Sequence, residues 1–138
     1  MINNAKVRFE NVIFLPSFEN GLKGQPFVQT IVDQTIFLLS VINELKSCFD
    51  ESGHRTKKGN EIISSYFTGD RARFSDESST NKIRFIKELT FKKEDGTDVF
   101  CAFHGKISHK YYRLHMSWPV TKTNPLYVAY LGPKITKD

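Results

Sequence analysis

Apolar residues recur with two different periods along this chain, three to four in the first half and two in the second. Phe27, Ile31, Leu38, Ile42, Leu45 and Phe49 lie on one helical stripe. Ile36, Phe37, Leu39 and Val41 widen that stripe almost to a full circumference, which predicts a long, largely buried helix. Pro26 stands where a first helical residue would, since its missing N–H costs nothing there. The helix is expected to stop near Asp50, with Gly53 available for a left-handed end. Before it, residues 7–15 have the β-branched and aromatic composition of a strand and end at Pro16. Residues 16–25 contain Gly21 and Gly24 and read as a loop. After the long helix, Ile62, Ile63, Tyr66 and Phe67 predict a short second helix over residues 61–67, closed by Gly69. Residues 70–81 form a polar connector without periodicity, and connections of that length are often functional.

From residue 82 the pattern changes to alternation. Ile83, Phe85, Leu89 and Phe91 alternate with Arg84, Glu88 and Thr90, predicting a strand over residues 82–92. Asp95-Gly96 is a hairpin-turn signal, and strands are expected over residues 99–107, 111–118 and 126–131. The fold class is therefore α+β in a single domain spanning residues 1–138. An N-terminal strand and two helices pack on a four- to five-stranded, mainly antiparallel sheet.

Within that sheet, the strand over residues 111–118 sorts its side chains with little ambiguity. Tyr111, Arg113, His115 and Ser117 point one way; Tyr112, Leu114, Met116 and Trp118 point the other and need the long helix as cover. A tight turn over residues 108–111 then sets the pairing of the preceding strand. Cys101 faces Trp118, Phe103 faces Met116, Gly105 faces Leu114 and Ile107 faces Tyr112. On the opposite, exposed face His104 opposes His115 and Lys106 opposes Arg113. A slip of one residue would mix the two sets, so the face pattern excludes it; slips of two remain open, since His109-Lys110 is not a preferred turn pair, and each of them keeps the four residues together. These four side chains repel one another unless an anion is near, and neither strand carries a matching acid; Glu88 is a partner if its strand is adjacent.

Charge sharpens this picture. Residues 1–80 carry nine basic and ten acidic residues, a net of −1, whereas residues 81–138 carry eleven and five, a net of +6. The C-terminal half is thus the side that meets anions, and nucleic acid is the expected partner. Twelve phenylalanines and five tyrosines make the chain too apolar for disorder. No run of apolar residues is long enough to span a bilayer and the N-terminus lacks a secretion signal, so no membrane partner and a cytoplasmic location are expected. Cys48 and Cys101 are expected as buried thiols with no role in metal binding.

The cluster fits phosphate chemistry without a metal. Cleavage of an RNA phosphodiester needs a base for the 2′-hydroxyl, an acid for the leaving oxygen and fixed cations for the charge on phosphorus. His104 and His115 are the candidates for proton transfer, and Arg113 and Lys106 for holding the phosphate. Tyr111, Ser117 and Lys134 are substrate-binding candidates. Zinc is not expected, because catalytic zinc takes three protein ligands and only the two histidines are in view, with Cys101 on the other face. No cofactor is expected, since no glycine-rich phosphate loop is present, and no Ser or Cys has a base and orienter.

The order strand, helix, helix and antiparallel run resembles the RelE-type toxin fold over roughly residues 7–131, and more broadly the small ribonucleases that include barnase and colicin-type nuclease domains. That resemblance implies a metal-independent endoribonuclease of a toxin–antitoxin pair, with Lys106, Arg113 and His115 matching the basic and histidine side chains on the family's sheet. It also implies RNA as substrate, ribosome-bound mRNA included, and a small acidic antitoxin as partner. The chain departs from the family in its longer segments at 16–25 and 70–81 and in a tail too short for a C-terminal helix. The alternative is a non-catalytic module that binds nucleic acid, with Tyr111 or Tyr127 stacking on bases, or an immunity-type protein that blocks an acidic partner.

Overall fold

The computed structural model describes residues 8–26, 28–107 and 111–136. Among these residues the architecture is α+β: three helices, a five-stranded mixed sheet whose apolar face is covered by the longest helix, and a separate two-stranded hairpin. The elements in chain order are β1 (Ile13–Phe14), a 3-10 turn (Asn20–Leu22), α1 (Gln29–Lys46), α2 (Lys57–Tyr66), β2 (Phe74–Ser75), α3 (Ser79–Arg84), β3 (Thr90–Lys92), β4 (Asp98–Phe100), β5 (Phe103–Ile107), β6 (Tyr112–Met116) and β7 (Tyr127–Pro133). The main sheet runs β1-β7-β6-β5-β2, with β1 parallel to β7 and every other pair antiparallel. No helix among the described residues is long and apolar enough to cross a membrane.

The β5–β6 register agrees with the alternation, pairing Phe103 with Met116, His104 with His115, Gly105 with Leu114, Lys106 with Arg113 and Ile107 with Tyr112. Helix α1 covers the apolar side, burying Leu38, Leu39, Ile42 and Leu45 in the same cluster as Leu114, Met116 and Ile107. Gly105 permits this approach: a Cβ there would lie 2.9 Å from both Leu38 Cδ1 and Phe74 Cε1. Trp118 closes the far end of the apolar face, stacked 3.9 Å from Phe103 and 5.3 Å from Phe67 between ring centroids.

Several local expectations are corrected. Of the strand expected over residues 7–15, Ile13 and Phe14 pair in the sheet, and Val7 lies outside the described residues. The Asn11 side chain and backbone bond instead to Asn43 on α1, which turns the chain before it can extend. Helix α1 begins at Gln29, so Pro26 is not its first residue, and Phe27 lies outside the described residues. Gly53 does adopt a positive φ of 87°, but in the turn after Asp50 rather than at the end of α1. Helix α2 starts earlier than its apolar pattern, because Thr56 caps it by accepting the Gly59 N–H at 3.2 Å.

The strand expected over residues 82–92 is helical in its first part. Ser78 caps α3 by accepting the Asn81 N–H at 3.1 Å, and Lys82 pairs with Asp76. Ile83 is 77% exposed, so the alternation that begins with it marks no buried face there, and the neighbouring Ile86 is 60% exposed as well. The strand expected over residues 99–107 breaks at Cys101 and Ala102. Cys101 donates its N–H to Leu89 O at 2.9 Å rather than continuing the ladder to Trp118. Its side chain packs with Leu15 and Ala129 in a second, smaller cluster, against Phe91 and Val99 of the β3–β4 hairpin. Asp95-Gly96 forms the turn of that hairpin as expected, with Gly96 at φ 86°. Cys48 and Cys101 are both buried and free.

Candidate functional site: a buried histidine pair beside an open basic basin

The polar face of β5 and β6 is not uniformly exposed. His104 is 6% and His115 1% exposed, whereas Lys106, two pairs further along the ladder, is exposed and Arg113 half-buried. Three features cover the histidine end. The β3–β4 hairpin lies over this face, with Phe91 6.3 Å from Tyr130, and the Tyr130 ring stands edge-on to His115 at 5.8 Å. The connector brings Glu77 against His104, its Oε2 3.0 Å from His104 Nδ1. The C-terminal segment adds Thr136, which donates to Glu77 Oε1 at 3.0 Å.

Each imidazole is anchored by a backbone carbonyl. His115 Nδ1 lies 2.8 Å from Cys101 O, and His104 Nδ1 lies 3.1 Å from Ala102 O. The break between β4 and β5 thus turns two consecutive carbonyls toward the pair. The rings sit 5.4 Å apart. Burial pushes His115 down to about 3, helped by the nearby His104. His104 is also lowered, chiefly by burial, against the opposing pull of the Ala102 carbonyl and Glu77. A histidine this reluctant to take a proton is a poor general acid near neutrality. The proton-transfer roles expected of His104 and His115 on an exposed face therefore meet a covered one.

The open end is different. Arg71, Arg73, Lys106 and Arg113 line a concave basin of about 670 Å³, together with Tyr111 and one carboxylate, Asp70. Its rim is tied to the sheet, since Lys106 N–H donates to Arg73 O at 2.8 Å and Arg73 Nη2 to Lys106 O at 3.3 Å. The Arg73 guanidinium also rests over Phe37, 5.4 Å from its centroid. Arg113 donates through Nη1 to Tyr112 O at 3.0 Å, while its buried Nε has no hydrogen-bond partner among the described residues. Tyr111 is 74% exposed and holds a φ of 58°, a conformation uncommon outside glycine.

The structure thus brings His104 and His115 together, and places Lys106, Arg113 and Tyr111 at the basin. It does not bring in the other two candidates. Ser117 Oγ accepts the Tyr127 N–H at 2.9 Å and ties the loop before β7, and Lys134 does not line the basin. Tyr127 packs in the second cluster beneath Lys93 rather than standing free. Glu88 is exposed, and the acid beside the cluster is Glu77. Sequence reasoning missed Glu77, Arg71 and Arg73, all from the aperiodic connector. The signal available was a face with an unmet need for an acid, next to a polar segment too long to be idle.

Glu77, His104 and His115 also form a donor set for a metal, with one ligand atom from each lying within 4.8 Å of the others. The third ligand that a zinc site requires, absent from the two strands, comes from the connector. No family model, no curated protein and no solved structure matches this chain.

Proposed function

We propose that this domain binds the phosphate backbone of single-stranded RNA in the basin, without cutting it. The observation that carries the reading is the convergence of Arg71, Arg73, Lys106 and Arg113 on one open concavity, opposed by Asp70. Guanidinium forks suit phosphate oxygens, and the exposed Arg71 is free of burial to offer one. Tyr111 beside them offers an exposed ring on which an unpaired base can stack, which favours single strands over duplexes. The resemblance to RelE-type ribonucleases enters this reading as a source of partners. An acidic antitoxin-like protein would compete with RNA for the same basin. Cleavage by His104 and His115 is disfavoured by their burial.

The test is fluorescence anisotropy of a labelled single-stranded RNA across a salt series, in EDTA. Binding should weaken steeply with salt, and Arg71→Ala or Lys106→Ala should each lower the log–log salt slope by about 0.7. Absence of salt-sensitive binding at low ionic strength would overturn the proposal. Cleavage that survives EDTA, leaves 2′,3′-cyclic phosphate ends and disappears in Arg113→Ala and His115→Ala would replace it with the ribonuclease reading.

A further inference from the structure

We propose that Glu77, His104 and His115 form a binding site for a divalent metal ion of the zinc class. The inference does not depend on the RNA reading, because it concerns the covered end of the face rather than the basin. Three observations carry it. One donor atom from each residue lies within 4.8 Å of the others, and the three come from separate parts of the chain: the connector, β5 and β6. Two imidazoles and one carboxylate are a ligand set zinc takes, at bond lengths of about 2.0–2.2 Å. Donors around a tetrahedral ion then lie roughly 3.4 Å apart, so a bound ion would draw together donors that now lie within 4.8 Å.

The surroundings also suit a metal. His115 Nδ1 faces Cys101 O at 2.8 Å, a backbone contact that fixes the proton on Nδ1 and leaves the lone pair on Nε2. Metal-ligating histidines are oriented by such bonds. The Glu77 side chain is 6% exposed, yet among the described residues the carboxylate is paired with His104 rather than with a lysine or arginine. Taking a carboxylate out of water is costly without a compensating charge, and a divalent cation supplies one. Thr136 and Asn81 hold the other carboxylate oxygen at 3.0 and 3.3 Å, as partners that orient a ligand. With three protein donors, the fourth position falls to a water molecule. Metal at this point would pin the connector to the sheet. The same connector carries Arg71 and Arg73 to the basin.

The test titrates metal-free protein with Co²⁺ and follows the visible spectrum, then displaces the Co²⁺ with Zn²⁺ and counts bound Zn²⁺ after dialysis. The expected result is one ion per chain with the intense bands of a four-coordinate site. Glu77→Ala and His104→Ala should each weaken binding about a hundredfold or more, while the exposed His54→Ala leaves it unchanged. Because a variant could fail to fold, X-ray absorption on the Zn²⁺-loaded wild type gives an independent readout. Two imidazoles with oxygen and no sulfur support the site. A wild-type spectrum that stays that of hydrated Co²⁺, or uptake that survives both variants, overturns it.

Discussion

Glu77 Oε2 lies 3.0 Å from His104 Nδ1, and this contact joins the segment between β2 and α3 to β5 of the sheet. Glu77 is followed at once by Ser78, whose side chain caps α3, and preceded by Asp76, which pairs with Lys82. Local capping therefore sets the direction of the connector, and the buried carboxylate fixes where it lands. The consequence is a division of one sheet face into two environments. At His104 and His115 the rings are covered and their protonation is disfavoured; two ladder pairs further on, at Lys106 and Arg113, basic side chains reach the open basin.

That division predicts an acid-sensitive fold. In the unfolded chain both histidines take up a proton near their ordinary value of 6.5, whereas burial lowers both in the folded state, His115 to about 3. The unfolded state therefore binds more protons on acidification. The stability that the neutral rings contribute is fully present above pH 6.5 and is lost as the pH falls toward 3. For His115 alone the loss between its ordinary value and a pH of about 5 is roughly 2 kcal/mol. Urea midpoints measured across this interval in EDTA should fall steeply for the wild type and less steeply for His115→Gln. Parallel acid slopes for the two proteins would show that His115 does not titrate as its burial demands.

The legible and illegible parts of this fold differ in the range of the forces that set them. The shared buried face of β5 and β6 followed from Tyr112, Leu114 and Met116, because a slip of one would have exposed all of them, whereas alternation did not choose among registers two residues apart. The same reasoning applied to Ile83 and Phe85 predicted a strand where α3 forms. There the Ser78 cap outweighed the alternation, since Ile83 and Ile86 had no buried surface to meet. The early turn before Ile13 depends on Asn11 finding Asn43, a contact across 32 positions that no local pattern announces. The site divides along the same line. Its four sheet residues came from alternation, but Glu77, Arg71 and Arg73 arrive by the path of the connector. Whether the cluster faces water depended on where that connector and the β3–β4 hairpin fold, and alternation is silent on this.

Close packing of α1 on the sheet yields a second prediction, at Gly105. A Cβ at this position would stand 2.9 Å from Leu38 Cδ1 and from Phe74 Cε1, closer than such atoms normally approach. Leu38 and Phe74 are both fully buried and cannot swing away freely. Gly105→Ala should therefore destabilise the protein by about 1–3 kcal/mol through overpacking. Leu38→Ala alone should cost about 2–5 kcal/mol, but the double variant should cost clearly less than the sum, because the added methyl occupies part of the space vacated. Equilibrium urea unfolding of the four proteins measures this coupling. Simple additivity would mean that α1 does not press on β5 at this point.

Tyr111 separates binding from stability, and its prediction runs in opposite directions for the two. The ring is 74% exposed, so little apolar burial is lost when it is removed. Its φ of 58° is a conformation that asparagine tolerates better than an aromatic residue does. Tyr111→Asn should leave stability within about 0.5 kcal/mol of the wild type, or raise it slightly. If the ring stacks on a base at the basin, the same change should weaken single-stranded RNA binding by about 1–3 kcal/mol. The salt slope should stay as it was, because no phosphate contact is removed. Anisotropy titrations at two salt concentrations, beside thermal melts of both proteins, test the whole pattern. A variant that binds as tightly as the wild type would remove Tyr111 from the site and leave the four basic side chains to hold the strand. A variant that binds weakly but also melts early would instead assign Tyr111 to the fold.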